Sequence, residues 1–185
     1  MILPTLVVDN LSPFTPDILA CLDRLGAERV YMKYSEVTRD DLEKCERVIL
    51  SGRRKNDQAV NAANSRIVRY CHDKDIPLLG ICYGAEIIAL TLGGSIRRMS
   101  SHLHGQIDVV TSPSPLVPEK NTISVYESHG FCIARLPEGF VRLAGSKYCD
   151  HEIFAHGTKK IYGTQFHPEK SGPDGLDLLE KFARM

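Results

Sequence analysis

The chain has 185 residues, of which 43% are hydrophobic and 25% charged, so we expect one globular domain over residues 1–185. Its 23 basic residues balance its 23 acidic residues, which gives no electrostatic reason to expect binding to nucleic acid or an anionic membrane. The longest apolar runs are too short to cross a bilayer, and no basic segment precedes the apolar run at the N-terminus. We therefore expect a cytoplasmic protein.

The cysteines and histidines give no sign of a metal centre. The chain has six cysteines, and none belongs to a CxxC pair or to a His/Cys cluster with zinc-finger spacing. In a cytosolic chain, most of them should be small core residues with reduced thiols. His102 and His104 are close in sequence but have no third ligand at a telling spacing. We expect no metal and no cofactor.

Strand and helix patterns alternate through the first half of the chain. Apolar runs predict strands at residues 3–9, 29–34, 46–50 and 76–81. Helical spacing and capping residues predict helices after residue 12 and at residues 38–45, 57–73 and 85–92. This order predicts an α/β fold of the flavodoxin-like kind, an open, mainly parallel sheet with helices on both faces.

The second half predicts shorter strands that form hairpins and sheet edges. These strands are expected at residues 106–111, 122–126, 141–146, 153–156 and 160–165, with residues 102–105 in a loop. The last strand should rejoin the main sheet. A closing amphipathic helix over residues 175–185 should direct Leu176, Leu179 and Phe182 inward.

Four of the predicted strands end in polar or reactive residues. The ends carry Asp9-Asn10, Ser51-Gly52, Cys82 and His167. Ligands of parallel α/β sheets bind beyond the carboxyl ends of the strands. The sequence therefore predicts a site at this edge of the sheet.

The segment from Gly80 to Gly84 fits the pattern G-x-nucleophile-x-G of a sharp strand-to-helix turn. The turn strains the backbone of the nucleophile, here Cys82, and the glycines remove side chains that would clash. A cysteine at a helix N-terminus is favoured as a thiolate. The amides of Tyr83 and Gly52 are natural donors to a developing oxyanion. The alternative interpretation is a small buried cysteine at a tight turn.

A thiol nucleophile needs a base, and the base needs a residue that orients it. His167 ends the last predicted strand, and Pro168 restricts the backbone just beyond it. Glu169 lies two residues further on and can reach the second ring nitrogen. Alone, this segment equally suits a capping histidine and a solvated glutamate.

The chain resembles the class I glutamine amidotransferases, the glutaminase domains that supply ammonia to a synthase. The similar segments occur in order and cover nearly the whole chain: VVDN, ILSG, GICYG, ESHG at positions 127–130, and TQFHPE. The resemblance implies that Cys82 attacks the side-chain amide of glutamine, His167 relays protons and Glu169 orients His167. It also implies that Ser128, His129 and Gly130 border the substrate.

The partner implied by the resemblance is an ammonia-accepting synthase. ESHG and LPEGFVRLAGS resemble the amidotransferase subunit of two-subunit GMP synthetases, whose ATP-dependent partner converts XMP to GMP. QFHPEKSG and GLDLLEKF instead resemble the glutaminase of imidazole glycerol phosphate synthase, and the anthranilate synthase glutaminase is a third relative.

Three segments depart from the family pattern and leave other functions open. One is Phe131, where the GMP synthetase subunits tend to have an acidic or amide residue after the ESHG-like segment. The family has His-Gln where this chain has Ala85-Glu86, and Glu86 can accept hydrogen bonds but not donate them when ionised. Arg53 replaces a glycine of the oxyanion loop and is either a ligand for the substrate carboxylate or a solvated side chain. The alternatives are a γ-glutamyl cysteine hydrolase and a non-catalytic regulatory subunit.

Overall fold

The structure, a computed structural model, describes residues 3–185. The strands are β1 Thr5–Asn10, β2 Arg29–Lys33, β3 Arg47–Arg53, β4 Leu78–Ile81, β5 Ser95–Thr111, β6 Thr122–Arg135, β7 Phe140–Gly145, β8 Ile153–His156 and β9 Ile161–Thr164. The helices are α1 Thr15–Arg24, α2 Arg39–Glu43, α3 Gln58–Lys74, α4 Tyr83–Thr91 and α5 Gly172–Ala183, and a 3₁₀ turn spans Pro168–Lys170.

The strands form one sheet in the order β2-β1-β3-β4-β9-β8-β7-β5-β6. The first five strands in this order are parallel, and the pairs from β9 to β6 are antiparallel. The predicted fold class is therefore confirmed, as is the return of the last strand to the main sheet. β4 lies inside the sheet, and all four of its residues are buried, as its continuous apolar run predicted.

The helices cover both faces of the parallel half. Ile18 of α1 and Phe182 of α5 belong to one buried apolar cluster, and Ile67 of α3 and Ile88 of α4 belong to the other. Among residues 3–185, no helix is both long and apolar enough to span a membrane. The core therefore has two layers, one on each face, and the sheet lies between them.

Two sequence predictions need correction. β5 and β6 extend over 17 and 14 residues and pair as a long antiparallel ribbon, so residues 102–105 and the ESHG segment lie within strands. Most β5 side chains are exposed or half-buried, so the segment carries no apolar run that would have marked it as a strand. α5 begins at Gly172, before the predicted start; Leu179 and Phe182 are fully buried as predicted, Leu176 is partly buried against the same cluster, and Leu178 is fully buried as well.

Candidate active site

Cys82 lies between β4 and α4 on the strained turn that the glycine pattern predicted. Its backbone has φ 53° and ψ −106°, which is rare for a residue with a side chain. A Cβ on Gly80 would lie 2.4 Å from the backbone of Gly84, and a Cβ on Gly84 would lie 2.4 Å from the carbonyl oxygen of Leu50. Only glycine fits either position, because the helix packs directly against the strands.

Backbone hydrogen bonds fix the turn at both ends. The amide of Cys82 donates to the carbonyl of Thr164 on β9 at 2.7 Å, and its carbonyl accepts from the amide of Glu86 at 3.0 Å. Tyr83 is the first residue of α4. Amides in a first helical turn have no partner within the helix, so the Tyr83 amide can stabilise an anion that forms at Cys82.

His167 and Glu169 form a buried pair on the turn that follows β9. Nδ1 of His167 donates to Oε1 of Glu169 at 2.8 Å, and both side chains are buried. The His167 ring lies close enough to the Cys82 thiol for each group to shift the pKa of the other. One ring nitrogen therefore binds Glu169, and the other is available to exchange a proton with Cys82, as nucleophile, base and orienting acid require.

Opposing effects set the protonation of the Cys82–His167 pair. Burial raises the pKa of the Cys82 thiol, and the neighbouring His167 opposes this shift. Burial lowers the pKa of His167, but Glu169 and Cys82 together outweigh it, so the pKa is well above its ordinary value. His167 therefore holds a proton firmly and can share it with the thiol.

Gly52 lies beside both reacting side chains. A Cβ at this position would be 3.2 Å from Cε1 of His167 and 3.8 Å from Cβ of Cys82. The end of β3 is held by Asn10, whose backbone amide donates to Oγ of Ser51 at 2.9 Å and whose side chain donates to the Ser51 carbonyl at 3.0 Å. Two of the predicted strand ends therefore bind each other, and this fixes Gly52 next to the nucleophile.

Glu86 is buried in the first turn of α4 and accepts a hydrogen bond from Nε2 of Gln165 at 3.2 Å. Burial raises the pKa of Glu86 to about 6, and Gln165, His129 and Arg53 partly offset this. Glu86 is among the groups that raise the pKa of Cys82. Its charge state is therefore coupled to that of the nucleophile.

Arg53 is held on the outer side of Tyr83. Its guanidinium lies 3.9 Å from the centroid of the Tyr83 ring, and Nη1 donates to Oδ1 of Asn61 at 2.7 Å. The Tyr83 hydroxyl donates to the same oxygen at 2.8 Å. These contacts account for Arg53 without a substrate, and its role as a substrate ligand stays a prediction.

The ESHG segment passes along the site as part of β6. The Ser128 carbonyl lies 3.9 Å from Sγ of Cys82, close enough to border a substrate attached to the sulfur. The His129 side chain is engaged elsewhere, because Nδ1 donates to the carbonyl of Phe131 at 2.6 Å. A Cβ on Gly130 would lie 3.5 Å from Nδ1 of His102 on β5. Of the three residues, Ser128 comes nearest to the nucleophile.

A second group of buried polar side chains lies beside Ser128. Oε2 of Glu127 lies 2.7 Å from Nε2 of His129, and Oε1 of Glu152 accepts from Oγ of Ser146 at 2.6 Å. Burial raises the pKa of Glu127 to about 7 and that of Glu152 to about 8. Burial also lowers the pKa of His129. These residues share one buried region, where a charge without a compensating partner is costly.

Several residues that support the site carry no sequence signal. Phe14 packs the edge of its ring against His167, with ring centroids 4.9 Å apart. The carbonyl of Tyr126 accepts the backbone amide of His167 at 2.9 Å. Asn64 of α3 is fully buried and donates to Oδ1 of Asn10 at 2.6 Å. Each acts through contacts between segments distant in sequence, which a pattern in one segment does not reveal.

Comparison with known proteins agrees with this geometry. A glutamine-hydrolysing GMP synthase subunit from Methanoculleus marisnigri is 34% identical over 185 residues, which are 97% of this chain and 96% of that protein. A solved structure from Thermoplasma acidophilum, described as a GMP synthase subunit, has 29% identity and a TM-score of 0.89 and covers 100% of this chain and 94% of its own.

Other curated relatives are longer. The GMP synthase of Aliivibrio salmonicida is 37% identical over 139 residues, which are 73% of this chain, and the chain spans 26% of its length. Residues 6–185 match the sequence profile described as glutamine amidotransferase class-I. The chain belongs to the class I glutamine amidotransferase family.

Proposed function

We propose that the chain is the glutaminase subunit of a two-subunit GMP synthase. It hydrolyses glutamine to glutamate and ammonia, and the ammonia goes to an ATP-dependent synthetase subunit that converts XMP to GMP. The observation that carries the proposal is the convergence of Cys82, His167 and Glu169 beside Gly52. The match to a separate GMP synthase subunit over nearly its full length supports the choice of partner.

The proposed reaction uses one nitrogen of His167 first as an acid and then as a base, while the other stays bound to Glu169. The Cys82 sulfur attacks the side-chain amide carbon of glutamine, and the amides of Tyr83 and Gly52 stabilise the oxyanion. His167 gives its proton to the leaving nitrogen, so ammonia departs and a thioester remains. His167 then takes a proton from water, which attacks the thioester and releases glutamate and the thiol. Glu169 keeps the ring oriented throughout.

The environment of the six cysteines supports a cytoplasmic location in this proposal. All six are free thiols. Free, buried thiols are expected in a reducing compartment.

The test is a glutaminase assay of the chain with and without the ATP-dependent synthetase subunit. Replacing Cys82 by alanine should lower glutamate release at least about 10³-fold, because no other group forms the thioester. Cys71→Ala is the matched control, since Cys71 is also buried but lies on α3. Unchanged turnover in Cys82→Ala would rule out the nucleophile. If the synthetase subunit forms GMP from free ammonia but not from glutamine in the presence of this chain, only the choice of partner is ruled out. The imidazole glycerol phosphate and anthranilate synthases would then be tested.

A second candidate function is hydrolysis of a γ-glutamyl compound other than glutamine. Glu86 favours it, because a buried carboxyl stands where the family has an amide next to the substrate. A panel of γ-glutamyl compounds discriminates the two functions. Glutamine as the poorest substrate, with and without the synthetase subunit, would support the second candidate and contradict the first. Resistance of Cys82 to glutamine-directed alkylating agents in both conditions would instead indicate a non-catalytic regulatory subunit.

A further inference from the structure

The buried group beside Ser128 contains nitrogen, sulfur and oxygen atoms that converge on one point. A ring nitrogen of His129, Sγ of Cys149 and a carboxylate oxygen of Glu152 all lie within 4.8 Å of one another. All three residues are buried, and Glu127 adds a second carboxylate 2.7 Å from His129. These residues come from β6 and from the loop before β8.

The hydrogen bonds of His129 leave one of its nitrogens aimed into this group. Nδ1 donates to the Phe131 carbonyl, so in the neutral ring Nε2 is an acceptor. Nε2 faces Oε2 of Glu127, which is also an acceptor when ionised. Two acceptors at this distance repel unless positive charge lies at the contact. A backbone carbonyl that fixes the other nitrogen is a common partner of histidines that bind metal.

Several polar atoms in the group have no hydrogen-bond partner. These atoms are both carboxylate oxygens of Glu127, Nε2 of His129 and Oε2 of Glu152. Glu127 and Glu152 are both 0% exposed. A proton shared by His129 and Glu127, or by the neighbouring carboxyls of Glu127 and Glu152, would satisfy only some of these atoms, and leaving a buried polar atom without a partner is unfavourable. One divalent cation would accept electron pairs from all of the side chains at once.

We propose that Glu127, His129, Cys149 and Glu152 form a structural site for a divalent transition metal, with zinc as the ion that fits best. Zinc accepts this mixture of imidazole, thiolate and carboxylate ligands in tetrahedral geometry. The ion would balance the charge of the two carboxylates and would take the thiolate form of Cys149, with the thiol proton released to solvent.

The proposed site differs from the expectation that the chain binds no metal. That expectation rested on closely spaced residues, whereas His129, Cys149 and Glu152 meet only through the fold. Glu127 joins them through its contact with His129. Two of them flank Ser128, whose carbonyl faces the Cys82 sulfur. The ion would therefore fix the part of β6 that borders the nucleophile, without touching the substrate.

The metal test uses the full chain in a Cys82→Ala background, because Cys82 and His167 are a second buried pair that can bind zinc. Protein purified without chelator should hold about one zinc ion per chain by mass spectrometry, because the ligands are buried and exchange should be slow. Refolding with cobalt should give thiolate-to-metal absorption in the near ultraviolet. Cys149→Ser and Glu152→Gln should each lower zinc affinity at least about 10-fold.

Cys71→Ser is the matched control, since it replaces an equally buried cysteine on α3 and should retain zinc and the cobalt absorption. Less than about one zinc per ten chains, with no rise in melting temperature when the chain is refolded with zinc, would overturn the proposal. So would zinc that survives Cys149→Ser and is lost in His102→Ala, which would mark a surface site. If Cys149→Ser does not fold, two other results test the proposal. These are the zinc affinity of the near-isosteric Glu152→Gln and the thiolate-to-cobalt absorption of the parent chain.

Discussion

The structure holds two buried histidine–glutamate pairs, and they differ in what the second ring nitrogen does. Nδ1 of His167 donates to Glu169, and the Cys82 thiol lies close enough to raise the pKa of the ring. His129 gives Nδ1 to a backbone carbonyl and turns Nε2 toward Glu127. The first ring can exchange a proton with the sulfur while Glu169 holds it in place. The His129 ring is fixed by the Phe131 carbonyl and can only bind a proton or an ion shared with Glu127. Similar residues and distances thus support a reacting centre in one place and a static one in the other.

The largest difference between the pairs should appear when each carboxylate becomes an amide. Glu169→Gln should lower kcat for glutamine about 10²–10⁴-fold, because the amide no longer holds the ring or stabilises its protonated form. Glu127→Gln should act mainly on the free energy of unfolding and on zinc content, with a smaller effect on kcat. Steady-state glutaminase rates and urea unfolding of both variants measure this. Equal losses of kcat would show that the pairs do not differ in role.

Glu86 senses both pairs, since His129 and His167 each lower its raised pKa, as does Arg53. A carboxyl whose pKa rises from 4.5 to about 6 on folding stabilises the fold when protonated. That stability is fully present below pH 4.5 and is lost as the pH rises through about 6, a change of about 2 kcal/mol. Glu86→Gln should remove this part of the pH dependence of unfolding. The exposed Glu138→Gln is the control, and a slope that persists in Glu86→Gln would contradict the assignment.

The smallest effect should come from the space beside His167. Gly52→Ala would place a Cβ 3.2 Å from Cε1 of His167, so the ring must shift by a few tenths of an ångström. We expect kcat to fall about 10-fold, with little change in melting temperature. Gly157→Ala is a matched control, because its Cβ would come within 3.3 Å of a backbone oxygen far from the reacting groups. A melting temperature that falls in Gly52→Ala with kcat unchanged would show that the ring tolerates the methyl group.

The sequence predicted the parallel half of the fold far better than the ribbon. Strands such as β4 are buried on both faces, so their apolar runs are continuous and the sequence shows where they begin and end. β5 is mostly exposed and is held by hydrogen bonds to β6, which any side chain permits, so its pattern carries little information. The convergence of Cys82, His167 and Glu169 followed from the strand ends. The meeting of His129, Cys149 and Glu152 could not be foreseen, because it depends on how β6 and the loop before β8 pack.

The hydrogen bond from the Cys82 amide to the Thr164 carbonyl has a consequence for how this domain can vary. It ties the nucleophile to the strand that leads directly to His167. The distance between Cys82 and His167, the proposed attacking atom and proton relay, is thus set by two adjacent buried strands. The surface of the ribbon away from Tyr126 and Ser128 can change to suit a different partner while this distance stays fixed. The same arrangement of Cys82 and His167 can in this way be combined with different partner proteins.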